Sequence, residues 1–292
     1  MCGLTYCGVG QASKRLCVTC LRVLGLLLLV PLGSGCAPID GPLRQDSITC
    51  GGLVLVLIPE GKRWIGTYSS NAYNRETPMG EIAVDYVIYL STTEVPRDVF
   101  EMVLGSDHAG SVDVVAGEED YPAVVPRGDA ERFCKAFSRI MERGTGRRWN
   151  VRLPMETEWE YAARYGRPFH EDWWPRTGGG PSDGFSLAEY AWYKYNADGT
   201  MHPIAQKKPN VLGLYDMFGN AEEWCSGSLT SSVTEMVRQC IVRSSGGLWG
   251  GDVGGLYPVR GGDYSSDQDG CRPSARGSTC TAGFRVVAVP AK

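Results

Sequence analysis

Apolar residues in this chain occur mainly in short runs of strand length, separated by stretches rich in glycine and proline. The segment GLVLVLIPEG (52–61) is a continuous apolar run that closes at Pro59 and Gly61, so it predicts a buried strand followed by a turn. The segment IAVDYVIYLSTTEV (82–95) is rich in β-branched and aromatic residues and predicts one or two further strands. GFRVVAVP (283–290) predicts a last strand near the end of the chain.

Three segments carry helical patterns. RDVFEMVLG (97–105) predicts a short helix that ends at its glycine. The clearest pattern is DAERFCKAFSRIMERG (129–144), in which apolar residues recur on one face; we predict Asp129 as its N-cap and Gly144 as its stop. RLPMETEWEYAARYG (152–166) predicts a second main helix with its tryptophan and alanines facing inward.

The first 36 residues have the pattern of an export signal. Three basic residues precede an apolar core of roughly eleven residues (23–33), which is too short to span a bilayer comfortably. Small residues then lead to Cys36, so the segment resembles a bacterial lipoprotein signal in which the cysteine is lipidated. A plain secretory peptide and an uncleaved signal anchor are the alternatives. We therefore predict an exported, membrane-anchored lipoprotein, periplasmic or at the cell surface.

The composition is that of a globular, loop-rich protein. Hydrophobic residues make up 43% and charged residues 21%, and a length of 292 residues allows one large domain or two small ones. The formal net charge of −4 argues against a nucleic-acid binder. The 38 glycines, 8 tryptophans and 14 tyrosines predict packed loops pinned by aromatic side chains.

Export changes how the eleven cysteines are interpreted. Four of them precede Cys36 and fall in the segment to be removed. An even number remains beyond Cys36, and in an oxidising compartment this favours disulfides, although the sequence alone does not give their pairing. These six are Cys50, Cys134, Cys225, Cys240, Cys271 and Cys280.

Four motifs give the chain a specific resemblance. RLPMETEWEYAARYG, NVLGLYDMFGNAEEWC (210–225), VRGG (259–262) and GFRVV (283–287) occur in the order and spacing of the sulfatase-modifying-factor family, which includes the formylglycine-generating enzymes. The resemblance implies a single α+β domain related to C-type lectins, with small antiparallel sheets, two main helices and much loop. We place this domain at residues 51–292, after a linker at residues 37–50.

The resemblance also locates a candidate active site. Formylglycine-generating enzymes oxidise a protein cysteine with oxygen and a copper(I) ion held between two thiolates, which match Ser266 and Cys271 here. A hydroxyl is a hard and weak ligand for copper(I), and Asp267 and Asp269 should raise the pKa of the remaining thiol. We therefore expect neither a copper site nor the usual activity. A structural role is the favoured interpretation of Cys271, and it stays the candidate catalytic residue as the alternative.

The resemblance suggests how some cysteines are used. Family members without the copper pair often combine cysteines at the positions of Cys225 and Cys271, so we predict that these two are bridged or at least neighbours. Cys134 lacks the partner it has in the family enzyme and is predicted to be a buried free thiol. Cys240 and Cys280 are left as a second candidate pair.

A structural calcium site is a further expectation from the resemblance. In the family, the segment around Gly-Leu-Tyr surrounds the ion, and oxygen ligands from two carboxylates and several carbonyls suit calcium. A tight loop with solvated acids is the alternative, and Glu222 stands where the family usually has tryptophan. The matching residues are Asp216 and Glu223 by side chain, and Met217, Gly219 and Ala221 by backbone carbonyl.

Two classes of function remain open. The first is an exported enzyme of formylglycine-generating type, or an oxidoreductase that acts on another substrate. The second is a non-catalytic module with a lectin-like fold that binds an unknown protein or glycan at the cell surface. Ser266 weakens the strict form of the first hypothesis, and the lipid predicted on Cys36 is compatible with both.

Overall fold

The computed structural model describes residues 46–68, 76–105, 119–166, 185–227 and 257–291. The predicted signal and most of the linker, residues 1–45, lie outside the described residues. Within the described ranges the elements, in chain order, are β1 (Ser47–Cys50), β2 (Leu53–Ile58), β3 (Gly61–Ile65), β4 (Gly80–Val84), β5 (Ile88–Ser91), α1 (Arg97–Leu104), α2 (Arg127–Thr145), β6 (Trp149–Arg152), α3 (Glu156–Ala163), α4 (Leu187–Tyr190), β7 (Glu223–Trp224), β8 (Val259–Arg260) and β9 (Val287–Pro290).

The main sheet has five antiparallel strands in the spatial order β1-β2-β5-β9-β6. The last strand of the chain therefore lies inside the sheet, where it joins β5 to β6. Two small antiparallel pairs, β3-β4 and β7-β8, lie outside this sheet. The mixed architecture confirms the predicted α+β class with small antiparallel sheets. It also confirms strands within the segments 52–61, 82–95 and 283–290.

The main sheet separates two apolar cores. Successive side chains of a strand point to opposite faces, so neighbouring residues enter different cores. Leu55, Tyr89 and Ala288 face the first core, which also contains the phenylalanines of α1 and α2. Leu90 and Val287 face the second core, which contains the tryptophan of α3 and the loops that follow it. Burial on both faces explains why these strands are continuous apolar runs in the sequence.

The two helices that cover the first core were predicted with different accuracy. The end of α1 at Gly105 is confirmed. Helix α2 starts two residues before the predicted N-cap, because Pro126 occupies the N-cap and Asp129 lies in the first turn. It ends at Gly146, whose φ of 68° is in the left-handed region that favours glycine, and Gly144 is still helical. The predicted boundaries of α2 were therefore wrong at both ends.

Helix α3 belongs to the second core. Trp159, Ala162 and Ala163 are buried, as predicted. The N–H of Met155, the N-cap residue, donates to the Glu158 carboxylate at 2.8 Å. This contact satisfies the backbone at the start of the helix without a capping hydroxyl. No helix in the part of the chain that the structure describes is long and apolar enough to cross a bilayer.

Buried ion pairs attach α3 to β8. Glu160 accepts from Arg164 at 2.8 Å and from Arg260 at 3.0 Å, and its side chain is about 1% exposed. Glu160 and Arg164, one helical turn apart, therefore form a buried ion pair. Burial acts to raise the pKa of Glu160, but Arg164 and Arg260 hold that pKa below its ordinary value. The charged form of Glu160 is thus stabilised by both guanidiniums, and also by the Gly66 N–H, which donates to its Oε1 at 2.7 Å.

We expect Glu160→Gln to destabilise the fold by about 3–5 kcal/mol at pH 7, because Arg164 and Arg260 would lose their shared countercharge in a buried place. Urea unfolding followed by circular dichroism measures this change. Glu142→Gln on the exposed face of α2 is the matched control and should stay within about 0.5 kcal/mol of the unmodified chain. Equal unfolding midpoints for the two variants would contradict the prediction.

Candidate functional site

The loop that follows β8 is shaped by two glycines. Gly261 and Gly262 have φ angles of 93° and 67°, which side-chain-bearing residues rarely adopt. A Cβ atom on Gly262 would lie 2.8 Å from the Gly270 carbonyl oxygen and 3.0 Å from the Cys271 Sγ. The Gly-Gly of the VRGG motif therefore lets the loop fold back, so that its far end, with Cys271, packs against its start.

Ser266 lies within this loop and its hydroxyl is fixed by one residue. The Ser266 Oγ donates to the Asp263 Oδ1 at 2.8 Å and accepts from the Asp263 N–H at 3.0 Å. Ser265 donates to the same Asp263 oxygen through both its N–H and its hydroxyl. Asp263 thus acts as the organising residue of a polar turn, and Ser266 is a structural part of that turn.

Cys271 is fully buried and its thiol is free. Burial raises the pKa of this thiol far above its ordinary value, and the negative charges of Asp263, Asp267 and Glu222 raise it further. Asp267 and Asp269 were both expected to raise this pKa. Asp267 does so, whereas the Asp269 carboxylate lies 3.7 Å from the Arg272 guanidinium. Cys271 is therefore a protonated thiol at neutral pH, and protonated thiols are poor nucleophiles and poor metal ligands.

The predicted bridge between Cys225 and Cys271 is wrong, because both thiols are free. The two cysteines share the second core, and the Cys271 Sγ lies close to Gly262. Cys134 is a buried free thiol, as predicted. Cys280 is free and exposed, so its predicted pairing is also wrong; the other member, Cys240, lies outside the described residues.

A cleft of about 130 Å³ opens beside this loop. Ser266 lines it, whereas Cys271 does not. Val259, Ala275 and the backbones of Gly262, Gly270 and Gly277 form the apolar and main-chain part of the wall. The polar side chains that line it are those of Glu76, Glu222, Arg260, Ser266, Asp269 and Arg276.

The cationic side chains of the cleft are already paired. Arg276 binds both oxygens of Glu156 at 2.6 Å, and Arg260 binds Glu156 at 3.1 Å and Glu160 at 3.0 Å. The Arg260 Nη1 is also occupied, since it donates to the carbonyl of Pro273 at 2.8 Å. The guanidiniums are thus structural links to α3.

Glu222 differs from the other acids of the cleft. Within the described ranges its carboxyl has no hydrogen-bond or ion-pair partner, while the Glu76 carboxyl binds Arg272 at 2.7 Å. Burial, with a smaller contribution from Asp263, raises the pKa of Glu222 to about 7. Sequence reasoning noted Glu222 only as a departure from tryptophan. That departure was nevertheless the available signal, because it exchanges an aromatic anchor for a charge.

The predicted calcium ligands are close in sequence, but Glu223 is committed elsewhere. Its Oε2 accepts from the Trp159 Nε1 at 2.7 Å and from the Arg285 Nε at 2.6 Å, and its Oε1 accepts from the Arg285 Nη2 at 2.5 Å. Both carboxylate oxygens of Glu223 therefore already accept hydrogen bonds within a buried salt bridge. Gly219 donates its N–H to the Gly261 carbonyl at 2.9 Å, and Met217 is buried in the same core.

Asp216 is buried with φ of 52°, and only one of its two oxygens has a donor. The Oδ2 accepts from the Ala205 N–H at 2.7 Å, while the buried Oδ1 has none. Burial raises the pKa of Asp216 to about 6, and burial followed by the charge of Asp216 raises that of Glu94. Glu94, which the sequence did not single out, accepts from the Ala221 N–H at 3.2 Å.

These contacts do not fit the predicted calcium shell. Asp216 could offer one oxygen to an ion, but Glu223 is held by Arg285 and Trp159 in the arrangement described. No group of three or more His, Cys, Asp or Glu side chains suited to a metal occurs among the described residues. In this arrangement the segment therefore places buried carboxylates around the Arg285 guanidinium.

The fold and the site can now be compared with known proteins. The sequence profile of the family described as sulfatase-modifying factor enzyme 1-like domain matches residues 51–289. Treponema denticola variable protein 1 has a similar structure, with a TM-score of 0.61 and 21% identity over 86% of this chain and 100% of that one. PvdO from Pseudomonas aeruginosa also has a similar structure, with a TM-score of 0.60 and 24% identity over 87% of this chain and 100% of that one. At these identities the structural similarities show a shared fold.

Two characterised relatives match part of the chain. The chaperone protein LppX of Paenibacillus barcinonensis is 34% identical over 25% of this chain and 30% of its own length. The formylglycine-generating enzyme of Mycobacterium tuberculosis (strain ATCC 25618 / H37Rv) is 37% identical over 26% of this chain and 27% of its own length. The matched regions thus span less than a third of either relative. The match to the family profile covers most of the chain, and the chain belongs to the sulfatase-modifying factor enzyme 1-like family.

Proposed function

We propose that this chain is exported, is anchored to a membrane by a lipid on Cys36, and acts as a binding module and not as a copper-dependent cysteine oxidase. The observation that carries the proposal is the hydroxyl of Ser266 in the cleft, at the position where family resemblance places the first copper thiolate. The partner would be a protein or a glycan, in keeping with the lectin-like fold.

Neither position of the copper pair offers a thiolate. The Ser266 hydroxyl is held by Asp263 and stays protonated at neutral pH. The Cys271 thiol is buried among carboxylates that disfavour its ionisation. Copper(I) is a soft ion that selects thiolate ligands, and two protonated groups do not provide them. The donor set therefore supports a role without copper.

A binding role is supported by the surface around the cleft. The cleft is lined largely by the loop between β8 and β9, and loops positioned by a folded scaffold are where binding sites are usually found. The relative from Paenibacillus barcinonensis is named a chaperone protein, which is a binding function, although its similarity to this chain covers 30% of its length. The unpaired carboxyl of Glu222 gives the cleft a polar group that a partner could contact.

An oxidoreductase that acts on another substrate is the second candidate function. It is favoured by the pKa of Glu222, which burial raises to about 7. A carboxyl of that pKa exchanges protons readily near neutral pH and so could serve as a general acid or base. The first candidate is preferred because it requires no reaction at the Ser266 position.

We expect Ser266→Cys to raise the affinity for copper(I) by about 100-fold or more, because copper(I) displaces the protons of its thiol ligands and the variant would have thiols at both positions of the family's copper pair. Anaerobic competition with a copper(I)-specific chelator measures the affinity. Ser265→Cys is the matched control, since Ser265 is the exposed neighbour in the same turn and should give no gain. Equal affinities for the two variants would show that positions 266 and 271 do not form the pair, and would remove the basis of the proposal.

Among the free thiols of the described residues, only that of Cys280 should react readily in the native protein. Exposed Cys280 should be alkylated by iodoacetamide at pH 8 at least about 100-fold faster than buried Cys134, Cys225 and Cys271, because alkylation needs an accessible thiolate. Peptide mass spectrometry with and without prior unfolding gives the rates. Rapid modification of Cys271 would instead place an active thiol at the cleft and favour the oxidoreductase.

The lipid anchor predicts a processed N-terminus. When the full chain is produced in a bacterium, the mature protein should begin at Cys36 and carry a lipid, and it should be found with the membrane fraction. Cys36→Ser should leave an unprocessed or soluble product, because two signals are needed for stable anchoring and the substitution removes the acylated residue. Mass spectrometry of the N-terminal peptide decides the point. A mature start elsewhere would indicate a plain secretory peptide.

A further inference from the structure

The cleft beside Ser266 has the size and shape for a small ligand with an apolar stem. Its volume of about 130 Å³ approaches that of engineered cavities of ~150 Å³ that accommodate benzene. Val259 and Ala275 supply an apolar wall, and the backbone of Gly277 lies against the Glu222 carboxyl. A Cβ at Gly277 would be only 3.2 Å from the Glu222 Oε1, so glycine keeps the space beside that oxygen open.

The charges in the cleft select against an anion. Arg260 and Arg276 are occupied by the carboxylates of α3 and by main-chain carbonyls, so they have few donors to offer. Arg272 is held by Glu76, and Asp269 faces the same guanidinium. An anion would therefore have to displace a buried ion pair, at a cost of several kcal/mol.

Glu222 is the carboxyl of the cleft that takes part in none of these ion pairs. It has no partner in the part of the chain that the structure describes, and its nearest charged influence is Asp263, another acid. Asp263 itself accepts from Ser265 and Ser266 and is occupied by the turn. The cleft thus presents an unpaired, half-buried carboxyl that burial and a neighbouring acid make costly to ionise without a cation.

A metal ion is not the cation that fits. Metal sites gather several ligands, and no cluster of three or more suitable side chains occurs within the described ranges. An alkylammonium group needs less, since its three N–H donors can bind one carboxylate together with hydroxyl or carbonyl oxygens, while its methylene chain packs on apolar side chains. Glu222, the Ser266 hydroxyl and the glycine backbones supply such acceptors beside the wall formed by Val259 and Ala275.

We propose that the cleft binds a primary alkylammonium group, with Glu222 as its counterion. The inference deepens the proposed binding role and rests on it, because a binding module needs a ligand chemistry and this cleft specifies one. A lysine side chain of a protein partner and a free alkylamine share that chemistry. Failure to bind amines would leave the copper measurement on Ser266→Cys unaffected, so the two proposals can fail separately.

The test uses the mature chain and two cationic probes, n-butylammonium and Nα-acetyl-lysine methylamide, with 1-butanol and Nα-acetyl-norleucine methylamide as neutral counterparts. Chemical-shift titration should show saturable binding of the cations and none of the neutral compounds. Binding of both cations assigns the cleft to lysine side chains as well as free amines, and binding of butylammonium alone assigns it to free amines. If neither cation binds at pH 8, the proposal is overturned.

Glu222→Gln provides the decisive variant, and Glu142→Gln on α2 is its matched control. Glu222→Gln should lower the binding constant about tenfold or more without loss of stability, because it removes an unpaired, partly buried charge. Unchanged binding in Glu222→Gln would overturn the assignment.

Discussion

The structure depends on the burial of charged side chains from distant parts of the sequence against one another. Glu223 accepts from Trp159 of α3 and from Arg285 of the segment before β9, and Arg260 of β8 binds Glu156 and Glu160 of α3. Each of these residues is buried, so removing one partner leaves a charge in a place that water does not reach. The four sequence motifs that carry the family resemblance are therefore the parts of one polar framework inside the domain.

This framework explains how the cleft can change while the fold stays the same. Ser266 and Glu222 lie at the cleft and take no part in the ion pairs that fix α3, β8 and the last strand. A residue in that position can be exchanged without leaving a buried charge unpaired. The residues at 266 and 222 are thus free to vary without loss of the fold, because the framework is satisfied by other residues.

The sequence predicted the elements whose signal is local. The continuous apolar run of β2 and the glycine at the end of α1 each specify their structure within a few residues. The disulfide that the resemblance suggested between Cys225 and Cys271 failed because the resemblance brings both residues into one core but does not fix the direction of their side chains. Glu94 was missed for a similar reason, since its contact with Ala221 joins residues 127 positions apart.

Glu223 and Glu222 show how neighbouring acids acquire different roles. Glu223 is fully buried but has a complete set of donors from Arg285 and Trp159, so its charge is part of the framework. Glu222 is less buried, and burial raises its pKa to about 7, because no donor within the described chain offsets the loss of hydration. Burial alone therefore does not identify a binding group. A binding group is distinguished by an unpaired polar atom that lines a cleft in which the other charged groups are already paired with one another.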